Sequence, residues 1–165
     1  PPPGTPRLVT CERIPPVAGD PVLLRQVFDN LIGNALKYVA PGDRPRIEVS
    51  GRTVGDLVAV RVADLGIGLP EGEHERVFEE FHRAHHRDYE GSGLGLSICR
   101  RIVTRHGGTI VARDNPAGRG TVMELTLPAY VRPSVPAPAA STQPVTPDVS
   151  GLVAETGAGP VAQVG

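Results

Sequence analysis

Asp64-Leu65-Gly66-Ile67-Gly68-Leu69-Pro70 is the stretch that most restricts the fold, and Gly91-Ser92-Gly93-Leu94-Gly95-Leu96 follows it along the chain. The first stretch comes after a strand pattern, and its two glycines allow the backbone to approach a ligand closely. The second opens a helical pattern at 94–106, and the free amides at a helix start favour an anion such as phosphate. Each stretch taken alone is also typical of an ordinary turn, cap or hinge.

The second stretch matches none of the common phosphate-binding motifs. A dinucleotide-binding fingerprint that began at Gly91 would need a glycine at position 96, where Leu96 stands, and no strand leads directly into it. A Walker A loop is excluded because no Gly-Lys-Ser/Thr follows. The catalytic loop and the Asp-Phe-Gly motif of protein kinases are also absent. A phosphate site here would therefore need help from residues elsewhere in the chain.

A helix predicted to begin at Asp20 carries two asparagines on one face. Asp20 and Pro21 are typical of an N-cap and a first helical position, and apolar residues then recur at helical spacing. Asn30 and Asn34 are four residues apart and so share a face. Asparagine is a poor residue for a helix interior because its amide competes for backbone hydrogen bonds. A ligand-binding face explains this cost, although a solvent-facing polar stripe explains the pattern about equally well.

The chemistry of that face suits a nucleotide with its metal ion. An amide oxygen is a ligand that suits Mg²⁺, which usually binds phosphate oxygens as well. Lys37, one turn beyond the asparagines, adds a positive charge for the phosphates, and Tyr38 offers a flat ring to a base. The Asp64 carboxylate at the end of a strand can accept a hydrogen bond from an exocyclic amine such as that of adenine.

The remaining patterns predict two β-hairpins, an edge strand and a short helix. Strands are expected at 7–10, 46–50, 57–62, 109–113 and 121–127, and the short helix is expected at 73–81. This order of elements predicts an α/β (α+β) fold, a two-layer sandwich in which a mixed, mainly antiparallel sheet packs on three helices.

Composition, net charge and the length of apolar runs indicate the domain boundaries and exclude several classes of protein. The net charge of -1 over 165 residues gives no basic field for nucleic acid, and no apolar run is long enough to span a bilayer. We expect an extended segment at 1–6, one domain at 7–129 and a disordered Pro/Ala-rich tail at 130–165. The absence of a signal peptide pattern predicts a cytoplasmic domain.

Four stretches resemble, in order and spacing, the N, G1, F and G2 boxes of bacterial sensor histidine kinases. They lie at 20–38, 64–70, 77–83 and 91–96. The resemblance covers roughly residues 6–128 and implies the ATP-binding catalytic (HATPase_c, GHKL-type) domain with the Bergerat fold.

The resemblance also implies a site for ATP and Mg²⁺. Asn34 would coordinate the metal with help from Asn30, Lys37 would contact the phosphates, and Arg83 would touch the γ-phosphate. These four are the predicted catalytic residues.

The other implied ATP contacts involve the base and the lid. Tyr38 would flank the adenine, and Asp64 would bond its amino group. Glycines would shape the pocket, hinge the lid and cradle the phosphates, and two phenylalanines would anchor the front edge of the lid. The remaining residues of this predicted set are Gly66, Gly68, Phe78, Phe81, Gly91, Gly93, Leu94, Gly95, Leu96 and Thr121.

The implied reaction is transfer of the γ-phosphate of ATP to a histidine in two-component signal transduction. Gyrase-type, chaperone and mismatch-repair ATPases place a glutamate where Asn30 stands, and asparagine cannot act as that base. None of the five histidines resembles the acceptor box, so the resemblance implies an acceptor on a separate dimerisation domain and a response regulator downstream. A non-catalytic regulatory module and an anti-sigma-type serine kinase remain as alternatives.

Overall fold

The five strands of the computed structural model form one sheet, with helices packed against one face. The structure describes residues 9–84 and 93–132, and its elements are β1 Val9–Cys11, α1 Pro21–Lys37, β2 Ile47–Val54, β3 Leu57–Asp64, α2 Glu73–Arg76, α3 Gly95–Arg105, β4 Ile110–Asp114 and β5 Thr121–Pro128. The expected segment at 1–6 and the part of the expected tail beyond 132 lie outside the described residues.

The strand order is β1-β2-β3-β5-β4, so β3 is the central strand. β1 runs parallel to β2, and the other three pairs are antiparallel. The prediction of a mixed, mainly antiparallel sheet in an α+β fold is therefore confirmed. Because β3 and β5 are antiparallel, the end of β3 at Asp64 lies beside the start of β5 at Thr121, and both residues reach the same end of the sheet.

Helix α1 begins as predicted at an aspartate followed by proline. The Asp20 carboxylate accepts hydrogen bonds from the amides of Val22 and Leu23, at 2.9 and 3.1 Å. This satisfies amides that a helix start otherwise leaves without partners. The side chains that α1 buries against the sheet are Leu24, Val27, Leu31 and Ala35. This apolar stripe fixes the rotation of the helix, and with it the direction of its two asparagines.

Helix α3 packs beside α1 and ends at a glycine. Cys99, Ile102 and Val103 are its buried apolar residues. Gly107 has φ +76°, a left-handed conformation that terminates helices at little cost for glycine. No helix in the described part of the chain is long and apolar enough to cross a membrane.

Helix α2 is shorter than the sequence predicted. The pattern indicated a helix at 73–81, but the helix ends at Arg76 and turns follow. Val77 and Phe78 bury their side chains in the core. Phe81 then has φ +62°, which no right-handed helix allows, and its amide donates to the carbonyl of Gly93 at 3.1 Å. The chain leaves the helix early because it must turn to reach Gly93.

Gly33 in the interior of α1 provides a stability test. A Cβ built at this exposed position meets no atom within 4 Å. Alanine loses less conformational freedom than glycine on helix formation. We expect Gly33→Ala to raise the free energy of unfolding by about 0.5–1 kcal/mol, measured by urea denaturation. A loss of stability would contradict the open surroundings of this site.

Candidate functional site

One cavity opens between α1, the end of β3, the start of α3 and the start of β5. Its volume is about 220 Å³. The predicted site residues that line it are Asn30, Asn34, Lys37, Tyr38, Asp64, Gly68, Arg83, Gly93, Gly95, Leu96 and Thr121. Residues from all four sequence stretches therefore meet at one place, although they lie far apart along the chain.

Some predicted site residues do not line this cavity. Phe78 is buried in the core beneath the Arg100 guanidinium, which lies 4.3 Å from its ring centre. Phe81 leaves 70% of its surface exposed. Gly66 and Leu94 lie next to lining residues without lining the cavity themselves. Gly91 is outside the described residues.

Gly66 has a supporting position behind the cavity wall. A Cβ built there would lie 2.2 Å from the carbonyl oxygen of Tyr38. The neighbouring amide of Ile67 donates to that same carbonyl at 3.0 Å. Only glycine allows the loop after β3 to pack this closely on the end of α1, and the packing brings Tyr38 and Asp64 to one side of the cavity.

The Asp64 carboxylate is held by backbone amides. Its Oδ1 accepts hydrogen bonds from the amides of Gly66 at 2.8 Å and Thr121 at 3.1 Å. Burial raises the pKa of Asp64 above its ordinary value, and these two hydrogen bonds partly oppose the rise. With Oδ1 used by the protein, Oδ2 is the oxygen that can accept a hydrogen bond from a ligand.

The two asparagines of α1 form a polar part of the cavity wall. Asn30 lies close to the start of α3, since a Cβ built at Gly95 would be 3.2 Å from its Oδ1. Asn30 also hydrogen-bonds the Cys99 thiol, but burial outweighs this contact and raises the pKa of Cys99 to about 12. The thiol is therefore protonated and belongs to the core.

Lys37 and Tyr38 follow the asparagines at the end of α1. The Lys37 ammonium lies 4.9 Å from the centre of the Tyr38 ring, and its Nζ donates to the tyrosine hydroxyl at 3.5 Å. This arrangement places a positive charge and an aromatic ring side by side on the cavity wall.

The N-terminal end of α3 faces the same cavity. Leu94 at the N-cap position has no side chain that can bond the first amides, so it provides no side-chain cap to the helix. Gly95 and Leu96 line the cavity. The uncapped amides and the positive end of the helix dipole together form a site that favours an anion.

A backbone clasp joins the turn after α2 to the residue two positions before α3. It consists of Phe81 and Gly93, which have φ +62° and +72° and share the 3.1 Å hydrogen bond described above. Left-handed backbone at a non-glycine residue costs roughly 1–2 kcal/mol and needs support from its surroundings. The clasp ties the turn after α2 to Gly93, which lines the cavity.

Gly93→Ala tests the clasp. A Cβ at this position would lie 2.8 Å from the Phe81 carbonyl carbon and 2.9 Å from the His82 carbonyl oxygen. We expect nucleotide affinity to fall by about 10-fold, measured by calorimetry, because displacement of the clasp alters the cavity rim. Gly72→Ala is the matched control, since Gly72 has φ +81° but nothing within 4 Å of its Cβ position. Equal effects of the two substitutions would show that only backbone strain is involved.

Several lining residues were not predicted from the sequence. Most are apolar wall residues: Leu31, Ala35, Val62, Leu69, Val77, Ala84 and Met123. The helical and strand periods mark Leu31 and Val62 as buried, but they do not show which buried residues border a cavity. His82 also lines the cavity, and its ring contacts the Glu73 carboxylate. That pairing depends on the turn after α2, which carried no sequence signal.

The sheet, the uncapped helix and the amide-held carboxylate define an ATP-binding domain. Residues 19–131 match the family described as histidine kinase-, DNA gyrase B- and HSP90-like ATPases, and the chain belongs to this family. The prediction of an HATPase_c domain from the four boxes is confirmed.

Among individual proteins, the chain is similar to bacterial sensor kinases. It is 42% identical over 118 residues to the adaptive-response sensory kinase SasA of Crocosphaera subtropica, covering 71% of this chain and 30% of the relative. It is 41% identical over 108 residues to the sensor histidine kinase WalK of Bacillus subtilis, covering 64% of this chain and 18% of that protein. The chain thus spans less than a third of these curated relatives.

Solved structures give the same result. The mycobacterial sensor histidine kinase MprB superposes with a TM-score of 0.65 at 31% identity, covering 76% of this chain and 86% of that one. Full-length ShkA in complex with AMPPNP superposes with a TM-score of 0.63 at 25% identity, covering 75% of this chain and 26% of that one.

Proposed function

We propose that this domain binds Mg·ATP in the cavity and transfers its γ-phosphate to a histidine on a separate domain. One observation carries the proposal: an amide-held carboxylate, two helix asparagines and an uncapped helix start line the same cavity. These groups match the three parts of the ligand, which are a base with an amino group, a metal ion and a chain of phosphates.

The base is assigned to the side of the cavity that contains Asp64. Its Oδ2 accepts a hydrogen bond from the exocyclic amine of adenine, while Tyr38 contributes the ring beside it. Thr121 lies against Asp64 through its amide. Because both Oδ1 bonds come from backbone, the carboxylate is already oriented before the ligand arrives.

The phosphates are assigned to the side of the cavity formed by α1 and α3. The amides at Gly95 bind phosphate oxygens, and Lys37 and Arg83 add positive charge. Asn34, with Asn30 beside it, supplies the neutral oxygen ligands that Mg²⁺ accepts. The metal would neutralise charge that develops on the transferred phosphoryl group. The residues of this chain thus bind and orient the ATP.

The lining residues support phosphoryl transfer in preference to hydrolysis. Asp64 is the only carboxylate among the described residues that line the cavity, and its amide bonds commit it to binding. Asn30 cannot accept a proton from water as a general base. The transfer therefore depends on a nucleophile that another domain brings to the γ-phosphate.

The partners follow from this reaction. We propose a dimerisation domain that carries the acceptor histidine and a response regulator that receives the phosphoryl group. The similar proteins are named sensor kinases, which supports a role in two-component signal transduction. We also place the domain in the cytoplasm, where ATP is available.

The test is phosphoryl transfer between purified domains. The chain is mixed with labelled ATP, Mg²⁺ and a dimerisation domain from a similar sensor kinase. Acid-labile label on that domain is the expected result, and it should vanish when the acceptor histidine is replaced by glutamine. Acid-stable label would indicate a serine kinase instead, and ATP binding without any transfer would indicate a regulatory module.

A further inference from the structure

Asn115 is a polar residue buried in the turn that connects β4 to β5. Only 6% of its surface is exposed. Its Nδ2 donates to the backbone carbonyl of Asp64 at 2.7 Å, and its Oδ1 accepts from the amide of Ala117 at 3.0 Å. Its backbone amide donates to the carbonyl of Gly120 at 3.1 Å. The side chain thus links the turn to the residue that carries the cavity carboxylate.

The same turn holds Asp64 at two further points. Gly120 has φ +123°, and a Cβ built there would lie 2.1 Å from the Asp64 carbonyl oxygen. The next residue, Thr121, donates its amide to the Asp64 carboxylate. The turn therefore contacts both the main chain and the side chain of Asp64, and this close approach is open only to a glycine at position 120.

We propose that Asn115 is a positioning residue that sets the nucleobase preference of the cavity by fixing the orientation of Asp64. This inference rests on the proposed function, in which the Asp64 carboxylate accepts a hydrogen bond from a purine amino group. Asn115 does not line the cavity, so it acts through Asp64 and not on the ligand.

The preference depends on the direction of the Asp64 side chain, which several groups fix together. The Asn115 amide fixes the carbonyl of Asp64, and the amides of Gly66 and Thr121 fix its Oδ1. A carboxylate held in this way favours a 6-amino purine and repels a 6-oxo purine, whose oxygen is also an acceptor. Without the Asn115 donor, the peptide after Asp64 keeps the hydrogen bond from the Leu65 amide to the Arg46 carbonyl at 3.2 Å but loses the bond to its carbonyl, so the direction of the carboxylate is less tightly fixed.

The test compares ATP with ITP, a nucleotide that has oxygen in place of the amino group. Asn115→Asp retains an acceptor for the Ala117 amide but removes the donor to Asp64, and Asn115→Ala removes both. Calorimetry with each nucleotide and Mg²⁺ gives a ratio of affinities. We expect both substitutions to lower the ATP-to-ITP ratio by about 5- to 10-fold relative to the unaltered chain.

Ile110→Val is the control for a general loss of stability, because Ile110 is buried in β4. This substitution removes one buried methyl group and should leave the ATP-to-ITP ratio unchanged. An ATP-to-ITP ratio that stays unchanged in both Asn115 variants, whether or not the two affinities fall equally, would show a merely structural role. It would overturn the inference while leaving the proposed function intact. No ATP preference in the unaltered chain would overturn the assigned role of Asp64 and this inference together.

Discussion

Replacement of Asp64 by asparagine is expected to weaken Mg·ATP binding by about 10- to 150-fold. This corresponds to the ~1.5–3 kcal/mol that a hydrogen bond to a charged group contributes. Asparagine can keep the Oδ1 bonds from Gly66 and Thr121, so its Nδ2 takes the place of Oδ2. A donor then faces the donor amine of adenine. Calorimetry with a non-hydrolysable ATP analogue measures the loss.

Asp29→Asn is the matched control for Asp64→Asn. The Asp29 side chain is 71% exposed and pairs with Arg25 at 3.6 Å on the surface of α1, so its loss should leave affinity unchanged. ATP binding by Asp64→Asn that equals the unaltered chain would contradict the assigned role of the carboxylate.

The same substitution predicts a dependence of stability on pH. Burial raises the pKa of Asp64 in the folded state. An acid whose pKa is higher in the folded than in the unfolded protein contributes stability at a pH below its unfolded pKa. This contribution is lost as pH rises through the folded pKa. The melting temperature of Asp64→Asn should therefore rise relative to that of the unaltered chain as pH increases above 3.8, the ordinary pKa of an aspartate. A melting temperature of the variant that falls relative to the unaltered chain as pH rises would contradict a pKa of Asp64 raised by burial.

Replacement of Asn34 by alanine is expected to lower the rate of phosphoryl transfer by at least about 100-fold. Loss of the metal ligand that we propose for this position would weaken charge neutralisation in the transition state, an effect of several kcal/mol. Initial rates measured over a range of Mg²⁺ concentrations should show partial recovery at high Mg²⁺. Binding of adenosine, which has no phosphates, should not change because the Asp64 side of the cavity is intact.

Gly33→Ala is the matched control for Asn34→Ala, since it alters the neighbouring position on the same helix without contacting other atoms. It should transfer phosphate at the normal rate. An unchanged Mg²⁺ dependence in Asn34→Ala would argue against metal binding at this asparagine.

The sequence was sufficient to predict elements that depend on local rules. The cap at Asp20 and the stop at Gly107 are local because their partners lie within a few residues. The spacing of Asn30 and Asn34 placed both on one helix face, and the structure brings that face to the cavity. Periodicity therefore predicted that the two asparagines share a helix face, but it did not decide between a ligand-binding face and a solvent-facing one.

Other parts of the site depend on contacts between distant residues and could not be predicted in this way. Asn115 and Asp64 are 51 positions apart in the chain, and nothing in the local sequence of the turn marks a link between them. The left-handed backbone at Phe81 is likewise set by its bond to Gly93. The helix predicted from propensity was therefore longer than the observed α2, because tertiary contacts outweigh propensity in short helices.

The segment just before α1 and the segment just after β5 meet at one corner of the sheet. Val17 pairs with Ala129, and the amide of Tyr130 donates to the carbonyl of Pro16 at 3.0 Å. This corner adjoins the start of β3, whereas the cavity lies at its far end, roughly 23 Å away by the rise of a β-strand. The segment before α1 and the segment after β5 are therefore tied to each other at the end of β3 that lies opposite the cavity.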